Sequence, residues 1–368
     1  MDNKKISVLI IISRTEKCGP NMILLPVVKE MRAQRFDVHM LILFREKADN
    51  VLHGFDQVGA EIKRADISSN KRVGAIRREI KRCLRQWDPD IVYSSGLSAN
   101  YHTARVIRDR PLYCTLHNNA YVDLRYGFNR IMAALGVYMT DYAVRHTEYV
   151  ICCSQAIREI YQKRFPHKKI FCIQNGTDTT RFQCWDRTAE EKKDSIVFLV
   201  SGSLDNRKDP LTIIKAFQRA GIADRVTLIF AGTGELLQQC EELAGESSII
   251  FLGFVDNIEK YYQMADVCVS ASYSEGLPNS VLEAASCGCR MILSDIPQHR
   301  EIFKEQDDCV SFFETGNVEQ LSGLFQQNIK CTGYQERKKI SRYIDENFSS
   351  DVMAKKYCKF MREHSSGV

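Results

Sequence analysis

The sequence contains no long hydrophobic run. No stretch of its 368 residues approaches the roughly 18 apolar residues of a membrane-spanning helix, although 44% of the residues are hydrophobic, enough for globular cores. Residues 6–12 are apolar, but no small-residue cleavage pattern follows within residues 13–18. We therefore expect a first β-strand there rather than a signal peptide, and a cytoplasmic protein.

Motifs for disulfides, metals and dinucleotides are also missing. The fourteen cysteines are scattered without a CxxC pair, and Cys152 and Cys153 are adjacent. Reduced, mostly buried thiols are the expected state. Ligand-spaced Cys/His pairs do not occur, so we expect no metal site and no cofactor. No GxGxxG turn follows the first apolar run, which disfavours a nicotinamide-dependent dehydrogenase.

Charge is distributed unevenly along the chain. Residues 1–190 carry 31 Lys/Arg against 20 Asp/Glu, a balance of +11, whereas residues 191–340 carry 15 against 22, a balance of −7. The net charge of +5 hides this asymmetry. We expect the two halves to attract each other across a cleft, and the basic half to be able to face an anionic surface.

Strand-like apolar runs alternate with helical stretches in both halves, which is typical of parallel α/β architecture. The strands predicted for the first half are residues 6–12, 37–43, 91–93, 112–116 and 149–153. Those predicted for the second half are residues 196–200, 226–231, 249–252, 267–270 and 291–293. Each half is predicted to be a doubly wound sheet, with ligands beyond the carboxyl ends of its strands.

The predicted domain organisation has three parts. A polar stretch without strand periodicity, residues 183–194, is the predicted linker. Residues 1–183 would form a basic first domain, residues 184–345 a second domain, and residues 346–368 a last helix that crosses back to the first. The shared cleft between two such domains is the expected active site.

The most informative stretch contains two glutamates, Glu275 and Glu283, eight positions apart around a turn that opens into a helix. Pro278 suits the first turn of that helix, and Asn279 and Ser280 can supply capping oxygens. Backbone N–H groups at a helix start bind anions without a metal. Carboxylates accept hydrogen bonds from hydroxyl-rich partners such as a ribose or a hexose. The pattern therefore predicts a nucleotide-sugar ligand.

Three other turns after predicted strands suit a ligand, and each has a plainer interpretation. Arg207 and Lys208 can contact phosphate oxygens or form a solvated loop pair. Gly232 lets backbone approach a ligand or forms a simple tight turn. Phe254 and Val255 follow a strand where backbone can pair with a nucleobase edge, or they are an ordinary strand end.

Taken together, these turns resemble retaining glycosyltransferase family 4, whose members have the GT-B fold: two Rossmann-like domains facing across a cleft. The matching motifs are Gly-x-Leu-x-x-x-Lys from 202, Ala-Gly-x-Gly from 231, Leu-Gly-Phe-Val from 252, Ala-Asp-Val-x-Val-x-x-Ser from 265 and Glu-Gly-Leu-Pro-x-x-x-Leu-Glu-Ala from 275. Weaker signs are Asn175-Gly-Thr-Asp178 and Thr115-x-His117. The resemblance is most specific over residues 195–300.

The resemblance implies roles for individual residues. Glu283 would hold the ribose hydroxyls of the donor, and Glu275 would contact the transferred sugar near its reacting carbon. Lys208, assisted by Arg207, would neutralise the leaving diphosphate. His117 would line the sugar and acceptor pocket. The implied catalytic set is therefore Glu275, Lys208 and His117.

The resemblance also implies backbone contacts to the donor. The N–H groups of Gly276 to Asn279 would bind sugar hydroxyls or phosphate. The N–H groups near Ser280 and Val281 would bind the diphosphate, and Gly19 would let a loop of the first domain approach the same diphosphate. The complete implied donor-binding set is Gly19, Arg207, Lys208, Gly232, Phe254, Val255, Glu275, Gly276, Leu277, Pro278, Asn279, Ser280, Val281 and Glu283.

The chain departs from the family pattern at several positions. Ser203 stands where an arginine is usual, and Arg207 is the candidate replacement. Cys18 precedes Gly19 in place of a second glycine, and residues 94–96 lack the histidine that many members carry. A lone histidine such as His117 is more often a structural hydrogen-bonding group, but its Thr-x-His context favours a pocket role.

Two segments of the first half are candidates for contact with a membrane. Residues 71–87 form a predicted helix with apolar residues at i, i+3, i+4 spacing and seven Lys/Arg against one glutamate. The charged face of this helix is either simply solvated or attracted to the anionic inner leaflet of a membrane. Nucleic acid is disfavoured as a ligand of this face, because stacking aromatic residues do not accompany the charges. Residues 131–139 are too few to span a bilayer and either reach into its interface or belong to the core.

These observations favour a metal-independent hexosyltransferase that moves a sugar from a nucleotide-diphosphate donor, with UDP preferred on family grounds, to a saccharide or lipid-linked saccharide acceptor in surface-polysaccharide assembly. Peripheral contact with the inner face of the membrane is expected, and nucleic acid is not an expected partner. A GT-B epimerase or phosphorylase, or a nucleotide-sugar-binding scaffold without turnover, remains an alternative.

Overall fold

A computed structural model describes residues 5–16, 18–46, 51–68, 72–185, 196–245, 247–303, 309–329 and 333–365. The chain forms two compact units, one comprising Met1–Gly176 with Ser350–Val368 and the other Thr177–Ser349. The sequence-based boundaries, after residues 183 and 345, lie seven residues after the first of these points and four residues before the second. Most of the predicted linker, residues 186–194, lies outside the described residues.

The first unit contains a parallel sheet with strand order β3-β2-β1-β4-β5-β6-β7 among the described residues. Its strands are β1 (Ser7–Ile12), β2 (Asp37–Phe44), β3 (Glu61–Ile67), β4 (Ile91–Ser95), β5 (Leu112–Leu116), β6 (Tyr149–Cys152) and β7 (Ile170–Cys172). Its helices are α1 (Gly19–Ala33), α2 (Leu52–Gln57), α3 (Val73–Trp87), α4 (Leu97–Val106), α5 (Ala120–Gly127), α6 (Arg130–His146) and α7 (Gln155–Arg164).

Side-chain alternation along the strands builds a core on each face of this sheet. Val8 and Ile10 of β1 pack with α1, whereas Leu9 and Ile11 pack on the opposite face with α3, α4 and α6. All four side chains are fully buried. A strand buried on both faces needs a continuous apolar run, which is why the central strands were the easiest to recognise in the sequence.

The second unit repeats the plan with strand order β10-β9-β8-β11-β12-β13. Its strands are β8 (Ile196–Ser201), β9 (Val226–Ala231), β10 (Ile249–Phe251), β11 (Val267–Ser270), β12 (Arg290–Ser294) and β13 (Val310–Phe313). Its helices are α8 (Pro210–Ala220), α9 (Leu237–Ala244), α10 (Ile258–Met264), α11 (Asn279–Ser286), α12 (Pro297–Ile302), α13 (Val318–Gln327) and α14 (Tyr334–Phe348).

The last helix, α15 (Ser350–His364), belongs to the first unit although it follows the second in the sequence. It packs against α1 and buries Met353, Tyr357 and Met361 in the same core as β1. The Tyr357 hydroxyl lies 3.3 Å from Thr115 Oγ1 at the end of β5. The first unit is therefore assembled from two separated stretches of chain.

The sequence-based strand list was accurate in the centre of each sheet and incomplete at its edges. All ten predicted strands are present, with ends shifted by at most two residues. Three strands were missed, namely β3, β7 and β13, and each lies at an edge of its sheet. No helix of the described residues is long and apolar enough to cross a membrane.

Candidate active site

The candidate site lies at the switch point of the second unit, where the chain leaves neighbouring strands in opposite directions. Strands β8 and β11 pair directly, through Phe198 with Val267 and Leu199 with Cys268. The loop after β8 carries Arg207 and Lys208, and the loop after β11 carries Glu275. Parallel strands end at one edge of the sheet, so both loops meet there, at the position where open α/β sheets bind ligands.

Glu275 is the centre of a cluster of charge-assisted hydrogen bonds. Lys208 Nζ lies 2.5 Å from its Oε1, and Arg207 Nη1 donates to its Oε2 at 2.9 Å. The Ser272 hydroxyl donates to Oε1 at 2.7 Å. The same Arg207 nitrogen also donates to the Ser274 carbonyl at 2.9 Å. One carboxylate is thus held by two cations and a hydroxyl.

The cluster fixes the charge of Glu275. Burial, at 6% exposure, raises the pKa of its carboxyl, but Lys208 and Arg207 outweigh burial and lower that pKa to about 2. The carboxylate is therefore ionised at every physiological pH and cannot act as an acid. A fixed negative charge beside two cations can stabilise positive charge on one ligand atom and negative charge on another.

Behind Glu275, His299 supports the loop that follows β11. Its Nδ1 donates to the Ser294 carbonyl at 2.7 Å, and its Nε2 lies 3.5 Å from Ser270 Oγ. Ser270 Oγ in turn lies 3.2 Å from Ser272 Oγ. Burial lowers the pKa of His299 to about 4, so its ring is neutral at pH 7. Ser272 ends the Ala-Asp-Val-x-Val-x-x-Ser motif but was assigned no role from the sequence, and His299 stands in no recognised motif.

Glu283, eight residues after Glu275, lies on α11 in a different electrostatic environment. The Tyr262 hydroxyl, from α10, donates to its Oε2 at 3.3 Å and lies 2.7 Å from Ser201 Oγ. Burial raises the pKa of Glu283 to about 7. Two glutamates of one motif thus have opposite pKa shifts, and this carboxyl changes its charge near neutral pH. Tyr262 was missed by sequence reasoning.

The start of α11 differs in detail from the sequence-based prediction. Pro278 is the N-cap residue, not the first helical residue, and no side chain caps the helix, so the prediction of Asn279 or Ser280 as capping residues was wrong. The Val281 N–H donates to the Pro278 carbonyl at 3.2 Å and is engaged within the turn. Leu277 is buried in the core, whereas Gly276 is half-buried.

The remaining predicted residues of this unit lie at the same edge of the sheet. A side chain at Gly232 would collide with the backbone of Gly202, so close packing of two loops already requires this glycine. Phe254 follows β10 and is 62% exposed, while Val255 packs partly against the core. Ser203, where the family usually has arginine, donates to Asp205 at 2.6 Å and lies on the surface.

Gly19 and His117 belong to the first unit. Gly19 is exposed at the first position of α1, after the carboxyl end of β1. His117 follows β5, and its Nε2 lies 2.8 Å from Ser95 Oγ at the end of β4. Burial lowers the pKa of His117 to about 4, so its ring is uncharged at pH 7. The roles of Gly19 and His117 toward the donor stay predictions. The absence of a metal site also stays a prediction; within the described ranges no group of three or more His, Cys, Asp or Glu is arranged to hold a metal ion.

Two Rossmann-like units, the second with charged loops at its switch point, define the GT-B class of α/β proteins. Two family models match the chain in succession: Glycosyltransferase Family 4 over residues 19–181 and Glycosyl transferases group 1 over residues 183–347. The chain belongs to this family of glycosyltransferases, which confirms the resemblance seen in its motifs.

Similar proteins include bacterial polysaccharide enzymes. The O-antigen biosynthesis glycosyltransferase WclY of Escherichia coli is 25% identical over 361 residues, covering 94% of this chain and 95% of that protein. The E. coli UDP-Gal:alpha-D-GlcNAc-diphosphoundecaprenol alpha-1,3-galactosyltransferase is 28% identical over 185 residues, covering 45% of this chain and 48% of that one.

Solved structures share the fold along nearly the whole chain. Sucrose-phosphate synthase of Thermosynechococcus elongatus superposes with a TM-score of 0.79 at 16% identity, covering 98% of this chain and 99% of that one. Anabaena HepE in complex with UDP and glucose also gives a TM-score of 0.79, at 17% identity, covering 97% of this chain and 100% of that one.

Proposed function

We propose that this glycosyltransferase moves a hexose from a UDP-sugar to a saccharide acceptor carried on a lipid, in surface-polysaccharide biosynthesis, with retention of configuration and without a metal ion. The observation that carries the proposal is the cluster of Lys208, Arg207 and the ionised Glu275 at the switch point, with Glu283 eight residues further on. A diphosphate flanked by a ribose and a hexose matches this order of groups.

The donor would lie along the loop and helix from Glu275 to Glu283. Glu283 would accept hydrogen bonds from the ribose hydroxyls, and the Tyr262 hydroxyl, 3.3 Å from its Oε2, orients the carboxylate. At the other end, Glu275 would contact the hexose. Lys208 has further donors besides the one it directs at Glu275 and would turn these toward the diphosphate, because an ammonium group carries three.

Transfer breaks the bond between the anomeric carbon and the β-phosphate oxygen and forms one to the acceptor oxygen on the same face of the sugar. Negative charge grows on the departing diphosphate, which takes the acceptor proton. Lys208, Arg207 and the start of α11 stabilise that charge, while ionised Glu275 stabilises positive character on the sugar. No second carboxylate is assigned as a nucleophile.

The relatives support the finer choices of donor and acceptor. The E. coli galactosyltransferase is named for a UDP-sugar donor and a diphosphoundecaprenol-linked acceptor, and WclY for O-antigen biosynthesis. HepE was solved with UDP and with UDP-glucose. A lipid-linked acceptor would require the enzyme to work at the inner face of the membrane as a peripheral protein.

A thermal-shift panel of UDP, GDP and their hexose conjugates tests the donor. Binding raises stability by RT ln(1 + [L]/Kd), so the true donor should give the largest shift. Glu283→Gln should greatly reduce this shift, whereas Glu275→Gln should retain much of it and lose turnover. The matched control is Glu235→Gln, a surface carboxylate of the same unit that bonds Asn206.

Turnover with the donor so identified tests the rest of the proposal. An NMR spectrum should show a product with the anomeric configuration of the donor, and EDTA should leave the rate unchanged. Phosphate-dependent cleavage or acceptor-independent epimerisation would assign a different reaction. A protein that binds the donor but releases no nucleotide in the presence of any lipid-linked or free acceptor would be a nucleotide-sugar-binding scaffold.

A further inference from the structure

Helices α5 and α6 form a hairpin whose tip exposes large apolar side chains to solvent. We call this surface the hairpin tip and define it by five residues. These are Phe128 (54% exposed), Ile131 (81%), Met132 (48%), Leu135 (48%) and Tyr138 (52%). Single exposed apolar residues are ordinary, but contiguous groups of them usually mark a contact surface.

The exposure is not a failure of α6 to pack. Ala133, Gly136 and Met139 are buried against the neighbouring helices, and a side chain at Gly136 would collide with Leu124 of α5. On the opposite side, Ile131, Leu135 and Tyr138 follow the i, i+4, i+7 spacing of one helical stripe. Residues 131–140 contain no charged residue. Over residues 131–140, helix α6 is therefore apolar on its outer face as well as its inner one.

The hairpin tip stands at the ligand-binding edge of the first sheet. Strand β5 ends at Leu116, His117 follows, and α5 begins at Ala120. Helix α6 then runs back toward the start of β6, so its first turns lie at the same edge as His117, the residue predicted to line the acceptor pocket. Leu97, which begins α4 at this edge, is also 36% exposed.

The charge around this apolar surface is positive. Arg125 and Arg130, both exposed, flank the loop between the helices, while Asp123 accepts a hydrogen bond from the Asn119 backbone N–H at 2.9 Å. Helix α3 lies on the same face of the sheet, since it packs on α4 and α4 packs on α6. The cations that the structure describes on α3 and at its N-cap are all exposed, namely Arg72, Arg77, Arg78, Lys81, Arg82 and Arg85.

We propose that the hairpin tip docks on an anionic lipid bilayer, with Ile131, Leu135 and Phe128 in the acyl boundary and Arg125 and Arg130 at the headgroup phosphates. An apolar stripe beside basic residues is the pattern of interfacial helices, which lie about 5–10 Å deep. A second copy of this chain fits less well, because an isologous contact would bring like-charged arginines together. The proposal deepens the proposed function, since it sets the lipid-linked acceptor beside His117.

Co-sedimentation with vesicles tests this surface. The wild-type protein should bind vesicles of phosphatidylcholine with phosphatidylglycerol and bind poorly to phosphatidylcholine alone. Ile131→Ser with Leu135→Ser should lower the partition coefficient about tenfold or more, because it removes the two most protruding aliphatic groups of the stripe. Ile250→Ser is the matched control, since Ile250 is 45% exposed on β10 of the other unit. Thermal midpoints and the donor-induced shift should be equal in all three proteins.

Tryptophan emission gives a second measurement that does not need the double variant to fold. The emission maximum of the Ile131→Trp variant should shift to shorter wavelength on anionic vesicles, and that of the Ile250→Trp variant should not. Wild-type partition by the double variant, or no vesicle binding by the native protein, would overturn the proposal. So would a wild-type dimer that the double variant converts to a monomer. Vesicle binding without sugar transfer would instead refute only the proposed function.

Discussion

Arg207 donates a hydrogen bond to Glu275 at 2.9 Å, and the same nitrogen donates to the carbonyl of Ser274, the residue before it. The arginine therefore fixes both the carboxylate and the backbone that carries it. The family usually supplies an arginine four residues earlier, where this chain has Ser203. That Arg207 replaces this charge stays a prediction, which its position beside Glu275 supports.

Variants of Arg207 and Ser203 test whether the Arg207 guanidinium replaces the arginine that the family usually has at position 203. Arg207→Ala should lower kcat by about 10²–10³-fold, the usual effect of losing one donor to a developing negative charge. Adding Ser203→Arg to that variant should restore part of kcat if the guanidinium serves the diphosphate. Single-turnover kinetics with the identified donor provide the measurement. A wild-type kcat for Arg207→Ala would show that Lys208 acts alone.

Donor affinity should depend on pH through Glu283. Burial raises the pKa of this carboxyl to about 7, and ribose hydroxyls donate best to the ionised form. Affinity for an intact nucleotide-sugar should therefore rise about tenfold from pH 6 to pH 8, as the ionised fraction grows. Calorimetric titration measures this, and the diester phosphates of the donor do not titrate in that range. Glu283→Gln should give a weak, pH-independent affinity.

The same shift has a consequence for stability. A carboxyl whose pKa is raised in the folded state favours folding only while protonated, so that contribution is present below the unfolded pKa and lost as pH rises through about 7. Glu283→Gln should raise the thermal midpoint relative to wild type more at pH 8 than at pH 5. An equal difference at both pH values would show that Glu283 is not shifted.

Ser272 and His299 should act as positioning residues. Ser272→Ala removes the hydroxyl that holds Glu275 Oε1 at 2.7 Å and should lower kcat with little change in KM. His299→Asn keeps a donor near the Nδ1 position, where the Ser294 carbonyl accepts at 2.7 Å, so it should retain more activity than His299→Leu. Equal kcat values for the two His299 variants would contradict this role.

Arg337 should matter for stability and not for chemistry. It is 2% exposed on α14, and its guanidinium donates to the carbonyls of Ala265 at 3.0 Å and Cys287 at 2.9 Å. Arg337→Met should lower the free energy of unfolding by about 2–4 kcal/mol, because buried carbonyls lose charged donors. Arg342→Met, at an exposed position of the same helix, should change it little. Urea denaturation compares the two.

The central strands could be predicted because burial on both faces leaves a visible apolar run. Strand β3 could not, since at the edge it is half-exposed and its sequence, Glu-Ile-Lys-Arg-Ala-Asp-Ile, carries four charged residues. Strand β7, of three residues, and strand β13, of four, were also missed, although β10 and β6 have the same lengths and were predicted. Edge strands take their structure from a neighbour rather than from their own periodicity.

The charged residues of the site were predictable because they stand in short motifs, whereas Tyr262 and His299, which support them, were not. Tyr262 lies on a short helix and meets Glu283 only because α10 and α11 are neighbours in the fold. His299 reaches its partners across strands β11 and β12. The opposite pKa shifts of Glu275 and Glu283 depend on such tertiary neighbours and are invisible in the spacing of the two glutamates.

The split origin of the first unit affects the order of events during synthesis. Helix α15 buries Tyr357 and Met361 beside β1, yet the ribosome makes it after the whole of Thr177–Ser349. The second unit is contiguous and can complete its core without α15, whereas the first exposes the apolar surface that α15 covers until that last helix is available. A released chain truncated after residue 349 should therefore show a protease-resistant second unit and a protease-sensitive first one.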